Sequence, residues 1–120
     1  MGLSMLGAYW KVTVTRGGCV MCRHFPPPPN VRVDFAPDIK RVEGHHILGK
    51  HQLKKLYRSR FDELRWDERN GMGLCVWHHQ RHEHHVERVP RWLLPAGVFE
   101  FAEELDLTWL LDRDYPEVET

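Results

Sequence analysis

A chain of 120 residues and 14.3 kDa is expected to form one domain with a modest core, not a multidomain enzyme. Hydrophobic residues make up 42% and charged residues 28%, which excludes a disordered or membrane-spanning composition. Seventeen Lys and Arg balance seventeen Asp and Glu, so net charge alone names no partner.

Residues 1–12 lack the basic region and unbroken apolar stretch of a signal peptide, and no apolar run reaches transmembrane length. Three Cys cannot pair completely as disulfides, so a reducing, cytoplasmic setting without membrane contact is expected. Ala8 to Thr15 alternates Trp10, Val12 and Val14 with Lys11, Thr13 and Thr15, the pattern of a half-buried strand. Gly17-Gly18 ends it, and Cys19-Val-Met-Cys22 follows. Pro26 to Pro29 reads as a stiff spacer before a second alternating run, Val31 to Phe35. Val42 to Leu48 reads as a strand ending at Gly49. Lys50 to Arg60 is then a basic helix with Leu53, Leu56 and Tyr57 facing inward. Residues 61–73 read as a loop closed by Asn70-Gly71 and Gly73. Leu74-Cys75-Val76 is short and apolar, and a His-rich helix spans Trp77 to Val89. Past Pro90 and Pro95, Ala96 to Leu111 reads as one helix with Val98, Phe101, Ala102, Leu105 and Trp109 on its inner face.

The zero net charge is a cancellation. Residues 40–60 carry seven Lys and Arg against Glu43 alone, and residues 96–120 carry eight carboxylates against Arg113. The middle segment, with Lys50, Lys54, Lys55, Arg58 and Arg60, suits phosphates, whereas the acidic C-terminus is expected to face away from them.

Cys19-x-x-Cys22 and Cys75-x-x-His78 are two chelating pairs with the spacing of a tetrahedral structural Zn²⁺ site, and they consume all three Cys. A redox Cys-x-x-Cys would want a following helix, where four prolines stand instead. A second constellation comprises the His45-His46 doublet, Asn70, and His79 with either His82 or Glu83. Adjacent strand residues point to opposite faces, so one His of the doublet binds a cation and the other acts as base. On the helix, His79 shares a face with both His82 and Glu83.

In this order the residues resemble the HNH endonuclease family. Its hallmarks are a Cys-x-x-Cys pair, a His-His or Asp-His doublet followed by an aliphatic residue, an Asn in a loop, and a second zinc pair with a His immediately after its last ligand. Here these are Cys19 and Cys22, Gly44-His45-His46-Ile47, Asn70, and Cys75-Val76-Trp77-His78-His79, within residues 19 to about 85. The resemblance implies an α+β fold with a ββα-metal core stapled by structural zinc, flanked by an N-terminal strand and a C-terminal helix. Residues 1–120 would form a single domain, with the core at 19–89 and a helical lid at 96–112. It further implies that His45 and His79 bind the catalytic cation, that His46 is the general base, and that Asn70 orients the base through the loop. The third cation ligand, His82 or Glu83, stays open. An oxygen ligand favours Mg²⁺ or Mn²⁺ and a third imidazole favours Zn²⁺ or Ni²⁺.

The implied reaction is metal-dependent hydrolysis of DNA phosphodiesters, by nicking or double-strand cleavage. The implied source is a bacteriophage or prophage, acting in the host cytoplasm beside phage packaging or replication proteins. The alternative reading is a non-catalytic, zinc-stabilised nucleic-acid-binding module resting on the Lys50 to Arg60 patch. A third, a small assembly protein, rests on the acidic C-terminal helix. Neither alternative accounts for His46 and Asn70 at their spacings.

Overall fold

Trp10 and Val14 stand four positions apart, and that spacing decides the first element. The computed structural model describes residues 2–27 and 41–117, the side chains of residues 2–4 excepted. Gly2–Thr15 is a helix, α1, in place of the strand expected over residues 8–15. Val12, which the alternation grouped with Trp10, is 60% exposed, whereas Trp10 is buried. A Trp-x-Val-x-Val run fits period two and period 3.6 alike, and only the distant partner separates them. That partner is a pair of glycines. A Cβ on Gly44 or Gly71 would come within 2.6 Å or 2.8 Å of Trp10 ring atoms, so the bare backbone at both positions lets the indole lie flush on the chain. Gly18, at φ +82°, turns the chain after α1, its amide donating to the Thr15 carbonyl at 2.9 Å. The Val31–Phe35 run and the end of the Pro26–Pro29 spacer lie outside the described residues.

Val42–His45 (β1) and Met72–Cys75 (β2) form a two-stranded antiparallel sheet in the register Val42↔Cys75, Glu43↔Leu74, Gly44↔Gly73 and His45↔Met72. Strand alternation puts Glu43, His45, Met72 and Leu74 on one face and the two paired glycines on the other. The expected Val42–Leu48 strand stops at His45, and at Leu48 the backbone pairs with a side chain in place of a strand. Asn70 Oδ1 accepts the Leu48 amide at 2.6 Å and Asn70 Nδ2 donates to the Leu48 carbonyl at 3.0 Å.

The basic stretch is not one helix. Lys50–Leu56 is α2, the chain breaks at Tyr57, and Arg58–Arg60 is a 3-10 turn. Tyr57 turns inward to donate its hydroxyl to the Leu105 carbonyl, and Leu56, expected inside, is 44% exposed. The segment read as a loop contains Phe61–Leu64 (α3) and a 3-10 turn, Glu68–Asn70, capped by Asp67, whose Oδ1 accepts the Arg69 amide at 2.9 Å. Gly73 lies inside β2 and does not close that loop.

β2 runs directly into Val76–Glu83 (α4), which packs on both strands. α4 ends earlier than the expected Val89, with His85 at φ 57°. The C-terminal part is two helices, Gly97–Glu104 (α5) and Thr108–Asp114 (α6). They are separated at Asp106, φ 58°, where the Leu107 amide closes onto the Ala102 carbonyl at 2.8 Å. The break resets the helical register: Leu110 and Leu111 are buried and Trp109, expected inside, is 49% exposed.

Leu53, Met72, Leu74, Val98, Phe101, Leu110 and Leu111 meet in one core. Arg69 ties that core to the Asn70 turn through a two-sided fork, to both Asp67 oxygens and to both Glu104 oxygens at 2.9–3.1 Å. Six α-helices and one two-stranded sheet among the described residues make the fold α+β. Among these residues no helix is long and apolar enough to cross a membrane.

Candidate metal centres

Cys19 and Cys22 lie on the turn after α1, and Cys75 and His78 on the β2–α4 junction. The fold brings the four together. His78 Nδ1 lies 3.4 Å from Cys19 Sγ, 3.5 Å from Cys22 Sγ and 3.1 Å from Cys75 Sγ, and Cys22 and Cys75 sulfurs are 3.5 Å apart. Ligand bonds of about 2.0–2.3 Å in a tetrahedron imply edges of about 3.3–3.8 Å, so the cluster could hold a metal ion such as zinc. His78 Nε2–H donates to the Phe25 carbonyl at 2.7 Å, which fixes the tautomer and leaves Nδ1 its lone pair. The Cys19 thiol is held well below its ordinary range by its hydrogen bond with Cys75 Sγ, and Cys75 is pushed up by the same contact. A cation allows more than one sulfur to ionise.

The second centre forms where β1 meets α4. His45 Nδ1, His79 Nε2 and a Glu83 oxygen make a triangle with sides of 3.3, 3.5 and 3.3 Å, and these three could hold a metal ion. Both imidazoles are oriented from behind. His79 Nδ1–H donates to Glu43 Oε1 at 2.9 Å, and the bond holds the Glu43 carboxyl below its usual range. His45 Nε2 lies 3.0 Å from the Tyr115 hydroxyl. With both outer nitrogens engaged, the inner ones face a common point. Burial first, and the neighbouring imidazoles second, press His45 down to about 3, so it is neutral and has a lone pair to give.

Of the two residues left open as third ligand, the structure brings Glu83 to the triangle and not His82. His82 Nδ1 accepts the Val89 amide at 3.3 Å, and its ring stacks on Tyr115 with Nε2 3.4 Å from the hydroxyl. It is a wall of the cavity beside the triangle.

His46 points away from His45, as neighbours around a strand end do, and stacks on Trp10 with ring centroids 4.0 Å apart. Its Nε2–H donates to the Arg65 carbonyl at 2.8 Å, so Nδ1 is the free base. Burial lowers its pKa to about 4, against that hydrogen bond. Asn70, fully buried, spends its side-chain oxygen and nitrogen on the Leu48 backbone. It clamps Leu48, two residues after His46, and so fixes the bend that carries the doublet. A cavity of about 450 Å³ is lined by His45, His46, His79, His82 and Glu83, together with Lys50 and Arg88. Lys54, Lys55, Arg58 and Arg60 do not line it.

Two residues behind the triangle, Glu43 and Tyr115, belong to no motif in the sequence. Glu43 stands two positions before His45, so alternation already placed it on the same face. Tyr115 comes from the end of the acidic segment expected to face away, and Asp114 lines the cavity with it. Arg88 and Arg91 secure that end, donating to the Asp114 and Tyr115 carbonyls at 3.0 and 3.1 Å. Removing the carboxylate behind His79, in Glu43→Ala, is expected to weaken divalent-cation binding at the triangle by about 10–100-fold. Calorimetric titration of Mn²⁺ checks this, and an unchanged affinity would mean that Glu43 does not orient His79.

Comparison with protein-family models, with curated protein sequences and with solved structures returns no match for the chain. The fold and the two clusters define an α+β protein with a Cys₃His group able to hold zinc and a separate His₂Glu group.

Proposed function

We propose that the chain is a metal-dependent endonuclease that hydrolyses DNA phosphodiester bonds, with β1, β2 and α4 as a ββα-metal core of the HNH kind. The observation that carries this reading is the His45–His79–Glu83 triangle with the unprotonated Nδ1 of His46 in the wall of the same cavity. A divalent cation on the triangle would neutralise charge on the phosphoryl and leaving oxygens. His46 Nδ1 takes a proton from water as the water oxygen attacks phosphorus. The phosphorus–O3′ bond then breaks, the leaving oxygen is protonated from solvent, and the ends carry 5′-phosphate and 3′-hydroxyl. The low pKa of His46 keeps the base in its acceptor form, and a phosphodiester anion beside it would raise that value towards the range of an effective base. Lys50 and Arg88 supply fixed positive charge in the cavity lining.

Two groups act at a distance from the chemistry. Asn70 holds the bend after His46, and Trp10 holds the imidazole plane. The Cys₃His cluster, in this reading a zinc site, joins the turn after α1, whose Trp10 supports His46, to α4, which carries His79 and Glu83. The deciding experiment is incubation of supercoiled plasmid with Mg²⁺, Mn²⁺, Ni²⁺ or Zn²⁺ in turn. Nicked or linear product that appears with at least one ion and vanishes when the cation is chelated is the expected result. Intact plasmid under every ion would overturn the reading.

A further inference from the structure

A second cavity, of about 530 Å³, lies between α1 and β1. It shares Gly44, His46, Lys50 and His79 with the cavity at the triangle, so the two are halves of one groove passing over the doublet. Lys11, Arg41 and Lys50 bring positive charge to this half, and Trp66 forms part of its wall. Its acidic residue, Glu43, is already engaged on both oxygens, one with His79 at 2.9 Å and the other with Arg41 at 3.3 Å. The outer residues of α2 and its following turn line neither half, and Arg60 is paired with Glu63 at 2.7 Å. The basic stretch that dominates the sequence is therefore not the basic surface nearest the chemistry.

We propose that the groove between α1 and β1 is the seat of the substrate strand. A DNA strand whose scissile phosphate lies at the triangle continues past His46, and its neighbouring phosphates rest on Lys11, Arg41 and Lys50. The outer face of α2, with Lys54 and Lys55, stays off the substrate. The inference rests on the nuclease reading and adds the path of the strand. α1 thereby acquires a second role. The helix whose Trp10 supports the base also carries a phosphate contact one residue later, so binding on this side presses on the wall that holds His46.

The test is anisotropy of a short fluorescein-labelled DNA duplex, without added divalent cation, comparing the pair Lys11→Ala and Lys50→Ala with the pair Lys54→Ala and Lys55→Ala. All four side chains are exposed, and thermal melts confirm that each variant is folded. The groove pair is expected to weaken binding about tenfold or more. It should also flatten the slope of log affinity against log salt by about 1.8, the value for two lost phosphate contacts. An α2 pair that weakens binding as much or more overturns the inference, as does a wild-type chain that binds no duplex. A wild-type chain that binds through the groove yet cuts no plasmid overturns the nuclease reading and leaves the groove assignment standing.

Discussion

Under the proposed nuclease function, replacing His46 with Ala is expected to lower DNA cleavage by about 10²–10⁴-fold, the usual contribution of a positioned general base, while the chain stays folded and keeps both Cys/His/Glu clusters. The expectation follows from the division between neighbouring residues. His45 turns its Nδ1 to His79 and Glu83, whereas His46 turns to Trp10 and anchors its Nε2 on a backbone carbonyl. Loss of His46 should leave Mn²⁺ affinity at the triangle unchanged. His45→Ala should lose that affinity together with activity. Added imidazole entering the space left beside Trp10 should restore part of the rate in His46→Ala. A purely structural role for the residue would not give that rescue. Plasmid nicking by folded His46→Ala at the wild-type rate would remove His46 from the mechanism.

What was legible in the sequence followed from how local each signal is. The Cys₃His cluster is made of two short pairs, and each pair's geometry is set within one turn of chain, so spacing alone suffices to mark it. That His45 and His46 face apart, and that His79 shares a face with both His82 and Glu83, was legible for the same reason, whereas the resemblance alone named His45 as the ligand of the pair. The choice between His82 and Glu83 was not, because both lie within one turn of His79. In the fold, His82 is engaged by the Val89 amide and lies beside Tyr115, while Glu83 stands with His45 and His79. The N-terminal helix was missed because Trp10, Val12 and Val14 satisfy two periods, and the deciding partners, Gly44 and Gly71, are more than thirty residues away. Tyr115 carried no local mark at all. The break at Asp106 hid the register that brings it to His45, and the acidity of its segment pointed the other way.

Cys75→Ser, or stripping of the metal by a strong chelator, is expected to unfold the chain. Cys22 and Cys75 are 53 positions apart, and closing a loop of that length costs about 4 kcal/mol of chain entropy. Structural zinc in small domains is worth about 10–16 kcal/mol, against a total stability of about 5–15 kcal/mol for a typical domain. Beyond the cluster, the two sides are joined by the packing of Trp10 on Gly44 and Gly71, by Met21 in the core, and by two hydrogen bonds. The Val20 amide donates to the Gly73 carbonyl at 2.9 Å and the His78 ring to the Phe25 carbonyl at 2.7 Å, and both bonds need the alignment that a cation on the cluster would impose. The wild-type chain should therefore hold one zinc that survives mild chelation and is retained by His45→Ala and His79→Ala. Cys75→Ser should lose that ion together with its cooperative melting transition. Metal analysis beside circular-dichroism melts reads both. A Cys75→Ser chain that melts cooperatively at the wild-type temperature would show that the core of Leu53, Leu74 and Phe101 holds the fold alone, and that the cluster is not its staple.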